Sequence, residues 1–347
     1  VIGAAYEMLQ RVWLPQRTDL TVTPLGDGHI NDTLLVRLAG EPRYVLQRLN
    51  QRVFEQPQVV IGNLERILSH FADGDTAVQV PELMVSVAGE HWYQDDNGDY
   101  WRLWTYRQGT RTLTAPLSAA EVFAAAQAFG RFQRRMQSLP GPRLRPPIPG
   151  FLHLADYLVT LDEVASRSER RAAVADREFI DANRSLAARL APAGDYIHGD
   201  CKLDNLLFKL NADEVDCVLD LDTVMPGHWA WDFGDLVRSV LTTQLAAAAD
   251  GVADSLATEL FSAAAAGFIN GRGELPDPDA MLVAPVYVSF MLGVRFLSDH
   301  LAGDVYFKVA TAGENLQRAR AQFAIAKALQ RQTPELEGLL RQQIEAR

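Results

Sequence analysis

The sequence predicts an α+β protein of two lobes: a small antiparallel β-rich lobe over residues 1–107 and a large, mostly helical lobe over 108–347. Three observations predict it. Between residues 20 and 107, short runs rich in Val, Leu, Tyr, Trp and Thr alternate with Gly, Asp and Pro punctuation. From residue 118 onward the apolar residues recur at helical spacing. Only around 196–224 does a strand-like pattern return, and there the chain reads YIHGDCKLDNLLF (196–208), an unusual density of charge set straight against apolar residues. Buried charge is costly unless it is paired or meets a ligand.

In the first lobe, LTVTPL (20–25), TLLVRLA (33–39) and RYVLQRL (43–49) are strands, joined by GDGHIND (26–32) and GEP (40–42). PQVVIGNLERILSHFAD (57–73) has helical apolar spacing. VPELMVSV (80–87), EHWYQDD (90–96) and DYWRLWTYR (99–107) resume the strand pattern, with DDNGD (95–99) as a turn. The texture changes after YRQGTRTL (106–113), the expected hinge. SAAEVFAAAQAFGRFQRRMQ (118–137) is an amphipathic helix, with Ser118 as N-cap and Glu121 closing a capping box. LPGPRLRPPIPGF (139–151) is a Pro-rich loop, and NLLFKL (205–210) and VDCVLDLD (215–222) form a short strand pair about the NADE turn.

Of the 347 residues 48% are apolar, ample for a core, and the net charge of −11 argues against a nucleic-acid or anionic-membrane partner. The two cysteines, Cys201 and Cys217, are too few for a disulfide framework. VIGAAYEMLQRVW at the start lacks a basic segment followed by a long apolar run, and no uninterrupted apolar run approaches the about 18 residues of a membrane span. A cytoplasmic location is the expectation; oligomeric state is not legible.

The charged stretch reads H-x-D-x-K-x-x-N: His198, Asp200, Lys202, Asn205. Asp220 follows 20 residues after Asp200 at the end of an apolar strand, with Asp222 two further on. Phosphoryl transfer from ATP needs this set of parts. Asp200 would accept or orient the proton of an attacking hydroxyl, and Lys202 would meet the γ-phosphate. Asn205 and Asp220 would hold Mg²⁺, with Asp222 as a second carboxylate. His198 braces the loop. Asp204 reads as a plain turn former.

H-x-D-x-x-x-x-N followed by D-x-D resembles the aminoglycoside phosphotransferase and choline kinase superfamily, small-molecule relatives of protein kinases. That resemblance implies a protein-kinase-like fold over nearly the whole chain. GDGHIND (26–32), DLDTVMPG (220–227), DFGDLVR (232–238) and GVRFLSDHLAGDVYF (293–307) look like the bacterial N-acetylhexosamine 1-kinases, which phosphorylate the anomeric hydroxyl of N-acetylglucosamine or N-acetylgalactosamine. The resemblance implies ATP and Mg²⁺ with a small sugar acceptor, and adenine against backbone near Tyr106, Arg107 and Gln108. It implies a turn of Gly26, Asp27 and Gly28 over the phosphates, and sugar contacts from His29, Asn31, Arg295, Asp299 and Tyr306. The literal D-F-G at 232–234 is not the metal site, because Asp220 holds that position; Asp232 resembles the family's downstream aspartate that braces the catalytic loop.

The small lobe departs from the kinase pattern. The third strand, YVLQRLN, has Gln47 where most such kinases carry a phosphate-pairing Lys. Arg48 is adjacent but falls on the opposite face, and Arg43 is the other candidate; Glu65, the natural helix partner of the Lys, is left without a role. Another alcohol acceptor (an aminoglycoside, choline, homoserine or a different sugar) and a nucleotide-binding pseudokinase remain open alternatives.

Overall fold

The computed structural model describes residues 2–26, 30–72, 78–247 and 254–345, so Asp27, Gly28 and His29 of the expected phosphate-covering turn lie outside the described residues. After a first helix, α1 (Ile2–Val12), come β1 (Leu20–Pro24), β2 (Asp32–Leu38) and β3 (Glu41–Arg48), then α2 (Pro57–Ala72), β4 (Tyr93–Gln94) and β5 (Tyr100–Thr105). The strands form one antiparallel sheet in the order β1-β2-β3-β5-β4. Ala5, Leu9 and Val12 of α1 bury themselves with Val22, Val36, Leu46 and Leu103 of the sheet, because alternate strand residues share one face. Across the middle of the sheet Thr33 pairs with Gln47, and Gln47 with Arg102.

The segment 80–87, expected as a strand, makes only a single bridge, Leu83 to Trp104. Pro81 has no N–H to donate, and Val85 and Val87 are exposed. EHWYQDD shrinks to β4 because Asp95 Oδ1 turns back to accept the N–H groups of Asn97 (2.9 Å) and Asp99 (3.0 Å). Leu64 and Ile67 of α2 are buried in the core of the large lobe. Asn63 donates to the Arg145 carbonyl at 2.7 Å and Arg66 to the Pro140 and Pro142 carbonyls, so the Pro-rich loop straps α2 down. Glu65 approaches His91 at 3.7 Å.

Within the large lobe lie α3 (Ala119–Met136), α4 (Leu154–Arg167), α5 (Val174–Asn183), α6 (Trp229–Ala247), α7 (Asp254–Arg272), α8 (Pro278–Ala302) and α9 (Glu314–Glu345). The capping box forms as the sequence predicts: Glu121 N–H donates to Ser118 Oγ (3.1 Å) and Ser118 N–H to Glu121 Oε2 (3.0 Å). By length and composition α8 alone among the described helices is apolar enough to cross a membrane, but 72% of that window is buried against α4, α6 and α9, which makes it a core helix. Between α3 and α7 the backbones nearly touch. A Cβ on Gly267 would lie 2.2 Å from the Phe123 carbonyl oxygen. Gly267→Ala is therefore expected to cost about 3 kcal/mol, since backbone cannot rotate aside. A chemical-denaturation midpoint equal to wild type would show that the two helices separate freely.

Two small sheets interrupt the helices. β7 (Asp195–Ile197) pairs with β10 (Met225–Gly227), and β6 (Thr110–Arg111), β8 (Leu206–Lys209) and β9 (Val215–Val218) run in the order β6-β8-β9. The β7–β10 pair draws the loop after β7 (198–205) beside the loop before β10 (219–224). Asp200 and Asp220 come from these two loops.

Candidate active site

Gly199 opens the first loop at φ +82°, and a Cβ there would meet the Thr223 carbonyl oxygen at 2.8 Å. Only glycine allows both that turn and that approach. His198, fully buried between Phe129 and Phe132, bridges the loops. Its Nε2 lies 2.8 Å from the Leu219 carbonyl, which can only accept, so Nε2 carries the proton; Nδ1 accepts the Asp200 N–H at 3.3 Å. Asp232, at the start of α6, accepts the N–H groups of His198 (2.8 Å) and Gly199 (2.9 Å) and the Gln133 amide (2.6 Å). Burial raises the Asp232 carboxyl above its usual range despite these donors.

Asp200 stands on this frame. Its Oδ2 accepts from Lys202 Nζ and from Asn205 Nδ2, both at 2.8 Å. Burial alone would raise the Asp200 carboxyl; Lys202, His198 and Asn205 together outweigh it and hold the group below the usual range, ionised and with Oδ1 uncommitted among the described residues. Burial would likewise lower Lys202, but Asp200 and Asp220 raise it above the ordinary amine range. Asn205 uses its Nδ2 on Asp200, which leaves its Oδ1 for a cation.

Asp220 sits at φ +58°, a left-handed conformation that costs a non-glycine residue about 1–2 kcal/mol. Burial, then the neighbouring carboxylates Asp222 and Asp200, push its carboxyl up to about 7. A buried carboxylate crowded by two others, which Lys202 and Arg102 only partly offset, beside an amide oxygen fits a hard divalent cation. No cluster of three or more His, Cys, Asp or Glu side chains suited to a metal occurs among the described residues. Asn205 and Asp220 could thus offer two ligands, and a hard cation held there would take the rest from a bound ligand and water.

A cleft of about 270 Å³ opens at this point between the sheet and the two loops. Val45, Trp104, Leu207 and Leu219 wall its apolar part, and Arg102, Asn205 and Asp220 its polar end. Tyr106 and Arg107, expected beside adenine, line the cleft, but the Tyr106 N–H already donates to the Arg43 carbonyl at 2.8 Å. Arg107 is ion-paired to Asp216 at 2.8 Å. Gln108 points elsewhere, its amide donating to the Pro42 carbonyl at 3.0 Å. Gly26, at φ +66°, directly follows Leu25, another lining residue.

Several expected ligands are otherwise engaged. Asp222, expected as a second metal ligand, gives both oxygens to Arg102 (2.6 and 2.7 Å) and accepts from Asn31 Nδ2 at 2.9 Å. It is the counter-ion of a buried arginine, and Asn31 is part of the same interlobe clasp rather than a free sugar contact. Asp299 accepts the N–H groups of Val305, Tyr306 and Phe307 at 2.8–2.9 Å and the Asn315 amide at 2.9 Å, so it builds the turn after α8 instead of facing a ligand. Arg295 lies among four rings, Phe151, Tyr157, Tyr306 and Phe307, at 5.0–5.7 Å from their centroids, with Tyr306 half exposed.

The sequence reading missed Arg102. The signal was an arginine inside an aromatic strand, YWRLWT, but its site depends on the β3–β5 register, which the sequence does not carry. Arg48 is excluded as phosphate clamp, since it pairs with Asp32 and with Asp99 (2.9 Å) on the other face. Arg43 is the exposed residue of a β-bulge.

A small β-lobe over a helical lobe, with the H-x-D-x-x-x-x-N loop and D-x-D at the cleft between them, defines a kinase-type phosphotransferase for small molecules. The chain belongs to the phosphotransferase enzyme family, whose model matches residues 21–266. Solved structures with the same fold include a microcompartment-associated aminopropanol kinase, 17% identical with a TM-score of 0.63 over 98% of this chain and 99% of the other. A choline/ethanolamine kinase family protein from Mesorhizobium loti is 17% identical, with a TM-score of 0.59 over 98% of this chain and 97% of its own. An amicoumacin kinase solved with AMP-PNP and Ca²⁺ is 15% identical, with a TM-score of 0.60 over 94% of this chain and 93% of its own.

Proposed function

We propose that the protein transfers the γ-phosphoryl group of Mg-ATP to the anomeric hydroxyl of an N-acetylhexosamine, giving a sugar 1-phosphate. The observation that carries the kinase part is the Asp200–Lys202–Asn205 cluster beside Asp220, a cleft-lining carboxylate whose nearby cations only partly offset its burial. Asp200, held ionised, accepts the proton of the acceptor hydroxyl through Oδ1 as its oxygen attacks phosphorus. An anomeric hydroxyl is more acidic than an ordinary alcohol, so a modest base suffices. Lys202, paired to the other carboxylate oxygen, Asp200 Oδ2, stabilises negative charge on the transferring group. Asp220 and Asn205 Oδ1 would hold Mg²⁺, which when bound neutralises phosphate charge. His198 and Asp232 fix the loop so that these groups need no rearrangement at the moment of reaction. The nucleotide and divalent ion of the amicoumacin kinase structure support the same pairing here.

For the acceptor, support comes from the resemblance of GVRFLSDHLAGDVYF (293–307) to the N-acetylhexosamine kinases, and from Arg295 among its rings. Aromatic faces stack on sugar C–H surfaces, and a guanidinium donates to hydroxyl or acetamido oxygen. The same positive group repels a cationic aminoglycoside or choline, and Asp299, already saturated by backbone donors, offers such an amine no partner. The test is ADP release with Mg-ATP over N-acetylglucosamine, N-acetylgalactosamine, plain hexoses, choline and an aminoglycoside. Turnover is expected on the acetamido sugars. Arg295→Gln is expected to raise the acceptor KM about tenfold, the worth of one charge-assisted hydrogen bond, and leave the KM for ATP unchanged. Turnover on choline or an aminoglycoside alone would keep the kinase and discard the sugar.

A further inference from the structure

Triphosphate binding in this cleft calls for a cation from the sheet side, and β3 offers Gln47 there. The neighbouring strand supplies one. Arg102 of β5 is the direct antiparallel partner of Gln47, only 7% exposed, and lines the cleft with Asn205 and Asp220. We propose that Arg102 is the residue that grips the nucleotide's phosphates, with Gln47 and Asp222 as its positioning partners; this rests on the nucleotide-binding reading above.

A donor count supports it. A guanidinium has five N–H groups and no acceptor. Nε–H and one Nη2–H go to Gln47 Oε1 at 3.1 and 2.9 Å. The other Nη2–H goes to Asp222 Oδ2 at 2.7 Å, and one Nη1–H to Asp222 Oδ1 at 2.6 Å. One Nη1–H is left without a partner among the described residues, on a guanidinium that Gln47 and Asp222 hold by two edges. Trp104 closes one face, its ring 4.9 Å from the guanidinium carbon, and its Nε1 also donates to Gln47 Oε1 at 2.7 Å. The Gln47 amide oxygen thus accepts from two side chains. A lysine at 47 would set a cation against these donors, so glutamine on β3 and arginine on β5 are two halves of one arrangement. Asp222 completes it from the large lobe, which is why its oxygens are not free for metal. A neutral side chain would leave Asp222 buried and unpaired, and a bare clasp between lobes would need neither the cleft position nor the bracket from Gln47.

The test compares affinities for ADP and for adenosine by calorimetry in MgCl₂, on wild type, Arg102→Lys and the double variant Arg102→Met/Asp222→Asn. The double variant removes the carboxylate that the single change would orphan, and Arg102→Lys keeps the charge with fewer donors. Wild type is expected to prefer ADP. In the double variant ADP affinity should fall about 10- to 100-fold, the worth of a hydrogen bond to a charged group, with adenosine affinity unchanged; Arg102→Lys should show a smaller loss of the same kind. An ADP-to-adenosine ratio unchanged in both variants, or equal losses for the two ligands, would reduce Arg102 to an interlobe clasp. Wild type that binds neither ligand would instead remove the nucleotide reading, and this proposal with it.

Discussion

Asp200→Asn is expected to lower kcat by about 10²–10⁴-fold, the usual contribution of a positioned general base. The variant keeps the size of the side chain, and Asn205 still finds an oxygen to donate to. It loses the charge that ties down Lys202 at 2.8 Å. A freed ammonium turns to the phosphates, so ADP affinity should hold or rise while turnover collapses. That split separates a lost base from a damaged fold, which would weaken both. The check is steady-state ADP release beside calorimetric ADP binding; a kcat within tenfold of wild type would take Asp200 out of the chemistry.

Asp220→Asn should have an effect of similar size on turnover, by a different route. The amide is a poorer ligand for a hard cation, so Mg²⁺ should no longer tighten ADP binding or raise the melting temperature of the nucleotide complex. The unliganded protein should respond in the opposite sense. In wild type the folded-state carboxyl titrates near 7, well above the about 3.9 of an unfolded aspartate. The folded state therefore holds a proton that the unfolded state has lost, and stability attributable to this group falls as pH rises from about 4 to 7. Asp220→Asn removes that loss, and asparagine tolerates the left-handed backbone at φ +58°. Melting without metal should thus be higher in the variant than in wild type at pH 8, with the gap closing towards pH 4. Equal melting at both pH values would mean that Asp220 is already compensated, and its assignment to the cation would lose its physical basis.

The parts of the site that the sequence displayed are those fixed by local chain. His198, Asp200, Lys202 and Asn205 fall within eight positions, and a hairpin-sized gap carries the reader to Asp220. The strand pair, the helix cap at Ser118 and the α+β order rest on equally short-range patterns. What stayed hidden depends on register and on contacts between lobes. Asp222 reads as a second metal ligand until Arg102, 120 residues away in sequence, is seen to hold both of its oxygens. Asp299 reads as a ligand beside Arg295 until the turn after α8 folds three N–H groups onto it. A carboxylate's free lone pairs are set by tertiary structure, and spacing alone does not report them.

The central claim is that nucleotide phosphates and metal meet between Arg102 on the sheet and Asn205 and Asp220 on the loops. The most direct measurement is a crystal structure with Mg²⁺ and AMP-PNP. The expected result has the metal on Asn205 Oδ1 and the Asp220 carboxylate, a phosphate oxygen on Arg102 Nη1, and Asp200 Oδ1 open beside the γ-phosphate. A metal held by Asp222 with Arg102 swung out of the cleft, or a triphosphate bound away from these residues, would contradict it.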